Sequence, residues 1–193
     1  MIKLMHPLLL ASNSPRRKEL LGKLQLPFTV QTIEVDETLP TAINPKGAAL
    51  YLAKVKSKAL AHVAHNQIVI TADTIVLSGS TILGKPDSNE DAFDMLKSLS
   101  GKTHVVITGV CLRSNDKTLS FDTTTRVTFG KLDEGEIDFY IKSGNAMDKA
   151  GAYGIQDWIG MVGVKSITGC YYNVMGLPIF DLYKHLKSSF CVS

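Results

Sequence analysis

Two adjacent arginines, Arg16 and Arg17, are the first residues of this sequence whose type and position suggest chemistry. They follow a polar loop in which Ser14 suits a helix N-cap and Pro15 the first helical position. The first turn of a helix already carries positive partial charge, so two cations there favour a nearby anion. Loop N–H groups, the Ser12 hydroxyl and the guanidinium groups can together bind a phosphate. Alternatively, both arginines extend into solvent or pair with neighbouring acidic side chains.

Lys56 falls on the apolar face of a predicted helix, whereas Lys54 and Lys58 fall on the opposite face. A lysine in that position binds an anion, extends to water or loses its charge, because burying it unpaired is costly. Near the middle of the helix we favour an anionic partner, either a phosphate or the carboxylate of Asp73. The apolar face is formed by residues at three- and four-residue spacing: Ala49, Leu52, Ala53, Ala59, Leu60 and Val63.

Acidic residues follow two predicted strands. Asp73 comes where the apolar run 68–72 ends, the edge at which α/β sheets place ligand-binding groups, and Glu37 holds a similar place after the second strand. Asp73 suits a metal ligand or a general base, and the two carboxylates together suit a cation such as Mg²⁺. Two simpler interpretations stay open: Asp73 caps a turn with Thr74, and Glu37 belongs to a solvated acidic loop.

Two further segments offer weaker signals. Lys85 lies on a rigid Gly-Lys-Pro turn, which alone is little evidence of a site. The glycine-rich segment 148–158 contains Gln156 and the aromatic Tyr153, so it suits a loop that closes over a nucleobase with Gln156 bonding the base edge. It is equally consistent with an ordinary surface loop. The chain has neither a GxxxxGK[ST] phosphate loop nor a GxGxxG fingerprint.

The elements that position these residues follow from apolar periodicity and turn residues. An apolar strand precedes the arginine loop, and the lysine helix begins after Pro45. Both strands and helices are predicted along the chain. The predicted strands are 8–11, 28–33, 67–72, 75–77, 81–83, 104–112 and 119–129, and the predicted helices begin at 15, 45 (ending near 64), 88, 133 and 178.

Composition indicates a soluble globular protein. The chain has 193 residues, of which 45% are hydrophobic and 20% charged, and no repeat or linker interrupts it, so we predict one domain over 1–193. A formal net charge of +3 is too small to indicate a nucleic-acid or membrane partner. The apolar N-terminal stretch is too short for a signal peptide or a membrane span, and three dispersed cysteines suit reduced thiols, so we predict a cytoplasmic location.

Taken in order, these segments resemble the Maf family of nucleoside triphosphate pyrophosphatases from Leu8 to about Leu186. The resemblance implies an elongated α/β fold with a mixed, curved sheet flanked by helices, two lobes around a cleft, and relatedness to inosine triphosphatase-like enzymes. It also implies a homodimer that depends on Mg²⁺ or Mn²⁺. The motifs that carry it are LASNSPRRKELL, EVDET, KVKSKALA, ITADTIV, LGKP, LSGKTHVVITGV, DKAGAYGIQ and NVMGLP.

The resemblance also assigns roles to residues of this chain. Glu37 and Asp73 manage the metal and the attacking water, with Asp73 as the proton acceptor. Gln156 approaches the base. The residues implied to hold the triphosphate are Ser12, Arg16, Arg17, Lys56 and Lys85.

Subgroup features indicate which base the family resemblance favours. Arg16, the Asp73-Thr74 pair and the AGAYGIQ sequence are similar to the dTTP/UTP subgroup, in which Thr74 and Gln156 belong to the substrate site. The sequence therefore predicts hydrolysis of pyrimidine nucleoside triphosphates to the monophosphate and pyrophosphate, as nucleotide-pool cleansing. Two alternatives remain: a nucleotide-binding regulator of septum formation without significant turnover, and a 7-methyl-GTP pyrophosphatase. Asp73, Lys56 and Lys85 argue against the first, and Arg16 and Thr74 against the second.

Overall fold

The computed structural model describes residues 2–32, 34–60 and 66–192. Within these ranges seven strands form one sheet flanked by helices, which confirms the predicted mixed α/β class. The strands are β1 (Leu8–Ala11), β2 (Phe28–Gln31), β3 (Ile68–Ser78), β4 (Thr81–Leu83), β5 (Thr103–Arg113), β6 (Thr118–Phe129) and β7 (Val164–Thr168).

The strands are hydrogen-bonded in the order β2-β1-β3-β5-β6-β7, and β4 pairs with β3. Two 3-10 turns, Pro45–Gly47 and Ala150–Ala152, accompany the helices. The helices are α1 (Pro15–Gly22), α2 (Ala48–Ala59), α3 (Asn89–Leu99), α4 (Glu134–Lys142), α5 (Trp158–Gly163), α6 (Tyr171–Val174) and α7 (Ile179–Ser189).

The chain divides into two compact units, each made of separate stretches of sequence, and each is described here by itself. The first region comprises Met1–Asp73, Thr108–Thr123 and Gly176–Ser193. The second region comprises Thr74–Ile107 and Thr124–Met175. The prediction of one domain over 1–193 stays a prediction.

The first region is built around β1, which pairs in parallel with both β2 and β3. Leu8 lies opposite Phe28 on one side and Ile68 on the other. All four residues of β1 are buried, as its unbroken apolar sequence predicts for a strand covered on both faces. The chain then leaves the end of β1 directly into the polar loop that precedes α1.

Helix α1 begins as its sequence predicts. The Ser14 Oγ accepts a hydrogen bond from the backbone N–H of Arg17 at 3.4 Å, and Pro15 occupies the first helical position. Leu20 and Leu21 are buried and anchor the helix to the core. Arg16 and Arg17 therefore lie in the first turn, the end that attracts anions.

Helix α2 starts after the 3-10 turn Pro45–Gly47 and ends at Ala59, earlier than the predicted end near residue 64. Ala59 is exposed, so its predicted place on the buried face is wrong. Val63 lies outside the described residues, as does Ile33 at the end of the second predicted strand. Strand β5 packs closely on α2, because a Cβ at Gly109 would lie 2.4 Å from the Cα of Leu50.

Strand β3 is a correction to the sequence analysis, because it continues unbroken from Ile68 to Ser78. Asp73 therefore lies in the middle of a strand and does not end one. However, the parallel pairing with β1 extends only to Ile70, so Asp73 lies beyond the last residue that β1 pairs. The Asp73 carboxylate thus lies past the end of β1, its neighbouring strand. The ends of strands are where α/β sheets place ligand-binding groups.

The second region contains the predicted β3–β4 hairpin and two helices with side-chain caps. Ser88 caps α3, and Asp133 and Glu136 form a complete capping box at the start of α4. Helices α5 and α6 and strand β7 were not predicted. They have four to six residues each, shorter than the window in which helical periodicity becomes visible.

The last helix, α7, returns to the first region and buries Leu182 and Leu186. It follows Pro178, as the sequence predicts. Among the described residues, no helix has both the length and the apolar character that a membrane span requires. All three cysteines are free thiols, with Cys111 buried.

Candidate active site

The loop before α1 is organised around the hydroxyl of Ser12. The backbone N–H of Ser14 donates to Ser12 Oγ at 3.2 Å, and Arg17 Nη1 donates to the same oxygen at 3.4 Å. Ser12 is 8% exposed. Because these bonds fold the loop back toward the first turn of α1, the loop, the hydroxyl and the guanidinium group are held together.

Gly176 is a contributor to this loop that the sequence analysis missed. Its carbonyl oxygen accepts a hydrogen bond from Arg17 Nε at 2.8 Å, across 159 residues of sequence. Gly176 has a φ of 111°, a conformation that favours glycine. Gly176 lies in the motif NVMGLP, which makes a turn before α7. The only sequence feature that could have indicated a special role for Gly176 is its position directly before Leu-Pro. Nothing local in the sequence links that turn to Arg17.

Lys56 lies between two carboxylates. Its Nζ is 2.7 Å from Asp73 Oδ1 and 2.9 Å from Glu37 Oε1. The lysine is 9% exposed, and the Asp73 side chain 13%, whereas the Glu37 side chain is 56% exposed. Of the two anionic partners considered for Lys56, the carboxylate of Asp73 is present in the structure. Glu37 is the second, more exposed carboxylate partner of Lys56.

The charge of Arg17 is influenced by the same residues. Burial is the main cause that lowers the pKa of its guanidinium group; the charge of Asp73 opposes that effect, Arg16 adds to it, and Glu37 opposes it. These interactions join two groups of residues into one cluster. We call it the Lys56 cluster: Ser12, Arg16, Arg17, Glu37, Lys56 and Asp73.

The two carboxylates of the Lys56 cluster converge on a single cationic nitrogen. Because Glu37 Oε1 and Asp73 Oδ1 both lie within 2.9 Å of Lys56 Nζ, they face one small volume. A pair of carboxylates completed by phosphate oxygens is the donor set that Mg²⁺ prefers, so these residues fit a hard divalent cation. Within the described ranges, no group of three or more His, Cys, Asp or Glu side chains is arranged to hold a metal ion.

Lys85 and Thr74 belong to the second region. Lys85 is exposed in the loop between β4 and α3, and Thr74 is partly buried in β3. The loop that carries Lys85 is tied to the glycine-rich segment, because the backbone N–H of Gly151 donates to the carbonyl oxygen of Gly84 at 2.9 Å. Within the second region, the structure therefore links two sequence motifs that were identified separately.

Gln156 lies in a tight turn of the second region. The backbone N–H of Asp157 donates to the carbonyl oxygen of Gly154 at 3.0 Å, which closes a four-residue turn with Gln156 at its third position. The side-chain oxygen Oε1 of Gln156 is buried and accepts no hydrogen bond from the described residues. A buried acceptor without a donor is costly, so this oxygen suits a ligand that supplies an N–H group.

Beneath that turn lies a network that the sequence analysis did not consider, formed by Tyr140, Lys149 and Asp157. We call it the Asp157 network. Lys149 is 7% exposed, and its Nζ contacts Asp157 Oδ2 at 3.2 Å and Asp148 Oδ1 at 2.7 Å. The Tyr140 hydroxyl donates to Asp157 Oδ2 at 2.8 Å. Burial, together with the Asp157 charge, raises the pKa of Tyr140, so the hydroxyl keeps the proton that it donates.

Tyr153 corrects another expectation. It was considered as an aromatic face for a base, but it is 5% exposed and its hydroxyl is 2.7 Å from His104 Nε2. Both rings contact Phe129, at centroid distances of 5.0 and 5.5 Å. Burial lowers the pKa of His104 to about 4 and raises the pKa of Tyr153. Tyr153 is therefore part of the core beneath the glycine-rich segment.

The structure thus places six of the predicted site residues in the first region and the other three in the second region. Ser12, Arg16, Arg17, Glu37, Lys56 and Asp73 all belong to the first region, and Thr74, Lys85 and Gln156 belong to the second. The roles assigned to all nine stay predictions.

Comparison with known families places this arrangement in context. The profile of the family described as Maf-like protein matches residues 7–189. That match spans nearly the whole chain, including every residue of the Lys56 cluster and the Asp157 network.

Proteins named dTTP/UTP pyrophosphatase are similar over the same length. The one from Phocaeicola vulgatus is 49% identical over 184 residues, which cover 94% of this chain and 95% of the relative. The one from Bacillus mycoides is 48% identical over 183 residues, covering 95% of both chains. The solved structure of the Staphylococcus aureus Ham1 protein aligns with a TM-score of 0.45 at 19% identity, covering 81% of this chain and 90% of that chain. That last likeness is too low to support an inference.

Proposed function

This chain belongs to the Maf family, and we propose that it is a nucleoside triphosphate pyrophosphatase that hydrolyses pyrimidine substrates such as dTTP and UTP. The products are the nucleoside monophosphate and pyrophosphate, and the physiological role is removal of unwanted nucleotides from the pool. Relatives that carry the name dTTP/UTP pyrophosphatase and match nearly all of this chain support the reaction class and the base class.

The Lys56 cluster is the observation that carries this proposal. Three cations, Arg16, Arg17 and Lys56, belong to the cluster, and two of them lie in the first turn of α1. Cationic side chains and the first-turn N–H groups of α1 together suit the negative charge of a triphosphate. Hydrogen bonds to Gly176 and Ser12 already orient Arg17. Its guanidinium group therefore needs little rearrangement to bind phosphate oxygens.

In the proposed reaction, water attacks the α-phosphorus and the bond to the β-phosphate oxygen breaks. Asp73 accepts the proton of the attacking water, and pyrophosphate leaves with the bridging oxygen. Arg16, Arg17 and Lys56 stabilise the negative charge that develops on the phosphoryl oxygens. Lys56 bonds to Asp73 Oδ1, so the same side chain orients the proton acceptor and neutralises the substrate.

Glu37 and Asp73 are the residues that would hold a divalent cation, Mg²⁺ or Mn²⁺. When bound, such a cation supplies charge neutralisation for the phosphates and lowers the pKa of a coordinated water. With the carboxylates on such a cation, Lys56 would be available to bind a phosphate oxygen. Glu37 is the more exposed of the two carboxylate partners of Lys56, with 56% of its side chain exposed against 13% for Asp73.

The second region enters the proposal through Thr74, Lys85 and Gln156, whose roles come from the family resemblance. The unpaired Oε1 of Gln156 supports a base with a ring N–H donor, which uracil and thymine carry at N3. A cytoplasmic location and assembly as a homodimer are also part of the proposal. Three free thiols support the location, and the family resemblance supports the dimer.

A substrate panel tests the proposal. The purified protein is incubated with Mg²⁺ or Mn²⁺ and with dTTP, UTP, CTP, GTP or 7-methyl-GTP, and pyrophosphate release is measured. We expect release to be fastest with dTTP or UTP, and to depend on the metal. Preference for 7-methyl-GTP would contradict the base class. Tight nucleotide binding without release would support a regulator of septum formation in place of an enzyme.

A further inference from the structure

A single hydroxyl group joins the two ends of the turn that carries Gln156. The backbone N–H of Gly154 donates to the Tyr140 hydroxyl at 3.2 Å, and that hydroxyl donates to Asp157 Oδ2 at 2.8 Å. Gly154 and Asp157 are the first and last residues of the turn. Tyr140 itself is 1% exposed and belongs to α4, so the turn is fixed to a helix from below.

The Asp157 carboxylate lies directly against the turn. A Cβ built on Gly154 would be 2.3 Å from Asp157 Oδ2 and 2.8 Å from Lys149 Cε, so only glycine fits at that position. Lys149 supplies the counter-charge on the same carboxylate oxygen and also donates to the carbonyl oxygen of Asn145. The turn is therefore closed around an internal ion pair, with no room for the backbone to shift inward.

A second close contact prevents movement from the other side. A Cβ on Gly160 would lie 2.2 Å from the carbonyl oxygen of Ile155, the residue before Gln156. Helix α5, which starts right after the turn, thus packs its backbone against the turn's own backbone. Gln156 is held by its neighbours on both sides, while its side-chain oxygen is left without a partner among the described residues.

We propose that Tyr140, Lys149 and Asp157 are positioning residues that fix the direction of the Gln156 amide and thereby determine base selectivity. This inference rests on the proposed function, in which Gln156 bonds the base. The Asp157 network touches neither substrate nor metal in this proposal; it acts only through the turn. A turn that loosens lets Gln156 adopt several rotamers, and each hydrogen bond to the base is then formed less often.

Tyr140→Phe is the matched test, because it removes one hydroxyl and keeps the ring in the core. We expect kcat/KM for dTTP and UTP to fall about tenfold, mainly through KM, which corresponds to one or two lost hydrogen bonds. The kcat/KM for CTP, whose base carries no ring N–H for Gln156 Oε1, should be unchanged, so selectivity for uracil and thymine over cytosine falls by the same factor. Tyr172→Phe removes a hydroxyl from an exposed tyrosine of the same region and serves as the control.

A double variant distinguishes positioning from general loosening. If Tyr140 acts through Gln156, then adding Tyr140→Phe to Gln156→Ala causes no further loss with dTTP. Independent, multiplying losses would overturn the inference, as would equal losses of kcat/KM on dTTP and CTP. Asp157→Asn, which keeps an acceptor for Tyr140, should retain more selectivity than Asp157→Ala.

Wild-type protein that releases no pyrophosphate from dTTP or UTP would overturn the proposed function, and this inference with it. An active wild type with unchanged variants overturns the inference alone.

Discussion

Each region of the molecule contains a nearly buried lysine held by two carboxylates, but the two surroundings differ. Lys56 binds Asp73 and Glu37, and Lys149 binds Asp157 and Asp148. In both cases one carboxylate is largely buried and the other is more than half exposed. The two lysines therefore resemble each other in the burial of their carboxylate partners.

The difference lies in what completes each pair. Lys56 shares its two carboxylates with Arg17, because the charges of Asp73 and Glu37 also act on that guanidinium group. Lys149 is completed by the carbonyl oxygen of Asn145, and its carboxylate partner by the Tyr140 hydroxyl, so the chain itself satisfies that network. A buried ion pair beside two arginines of a helix first turn suits an anionic ligand, whereas one completed by local backbone and hydroxyl groups suits the positioning of a turn.

The largest expected effect is that of Asp73→Asn. The variant keeps the size of the side chain and an acceptor oxygen for Lys56 but cannot serve as the proton acceptor. Turnover of dTTP should fall by a factor on the order of a hundred to a thousand, while the circular dichroism spectrum stays that of the wild type. Turnover within a factor of two or three of the wild type would remove Asp73 as the base.

Replacing each lysine in turn tests the comparison directly. Lys56→Met should lower kcat on every accepted triphosphate on the order of a hundredfold, with a smaller loss of stability because the charge of Arg17 also acts on Asp73. Lys149→Met should instead destabilise the protein by about 3 kcal/mol, because Asp157 loses its counter-charge.

Turnover and urea unfolding are measured on both lysine variants under the same conditions. The comparison predicts a large fall of kcat with a small change of stability for Lys56→Met. For Lys149→Met it predicts a large loss of stability with little change of kcat, because the proposed role of Lys149 acts on KM. Matching changes in the two variants would show that the two ion pairs do not differ in role.

Arg17→Lys tests whether orientation matters as well as charge. Lysine keeps the charge but has no Nε to donate to Gly176 and no fork for phosphate oxygens. We expect KM for dTTP to rise roughly tenfold, the equivalent of one charge-assisted hydrogen bond. Arg126→Lys, a matched replacement in β6 of the second region, is the control. Unchanged KM in Arg17→Lys would mean that charge alone suffices.

The remaining prediction concerns His104 and the dependence of stability on pH, with no effect expected on the Lys56 cluster. Its pKa is lowered to about 4 in the folded protein from 6.5 in the unfolded chain. Between these values the unfolded chain binds a proton that the folded chain does not, so the free energy of unfolding falls as the pH drops from about 6.5 toward 4. The slope is at most ~1.4 kcal/mol per pH unit.

His104→Gln, which keeps a hydrogen-bonding group for Tyr153, should have a shallower decline in stability. Urea unfolding of both proteins at pH 7, 6 and 5 measures it. An identical decline in the two proteins would assign the acid sensitivity to other groups.

Local features of the fold could be read from the sequence because each depends on neighbouring residues. Ser14 and Pro15 predict the start of α1, and the spacing of apolar residues places Lys56 on a buried face. Helices α5 and α6 escaped prediction because they are too short for periodicity, and the unbroken course of β3 through Asp73-Thr74 depends on pairing with distant strands.

By itself, the sequence determined the chemical types in the Lys56 cluster and the elements that carry them, since caps, helical spacing and motif order are local properties. Only the tertiary structure decided which groups meet. The bond from Arg17 to Gly176 joins residues 159 positions apart, and Lys56 reaches Asp73 across 17. Likewise, Lys149 and Asp157 become a buried pair because α4 brings Tyr140 beneath the turn. Such contacts depend on packing between elements, which sequence patterns within one element do not encode.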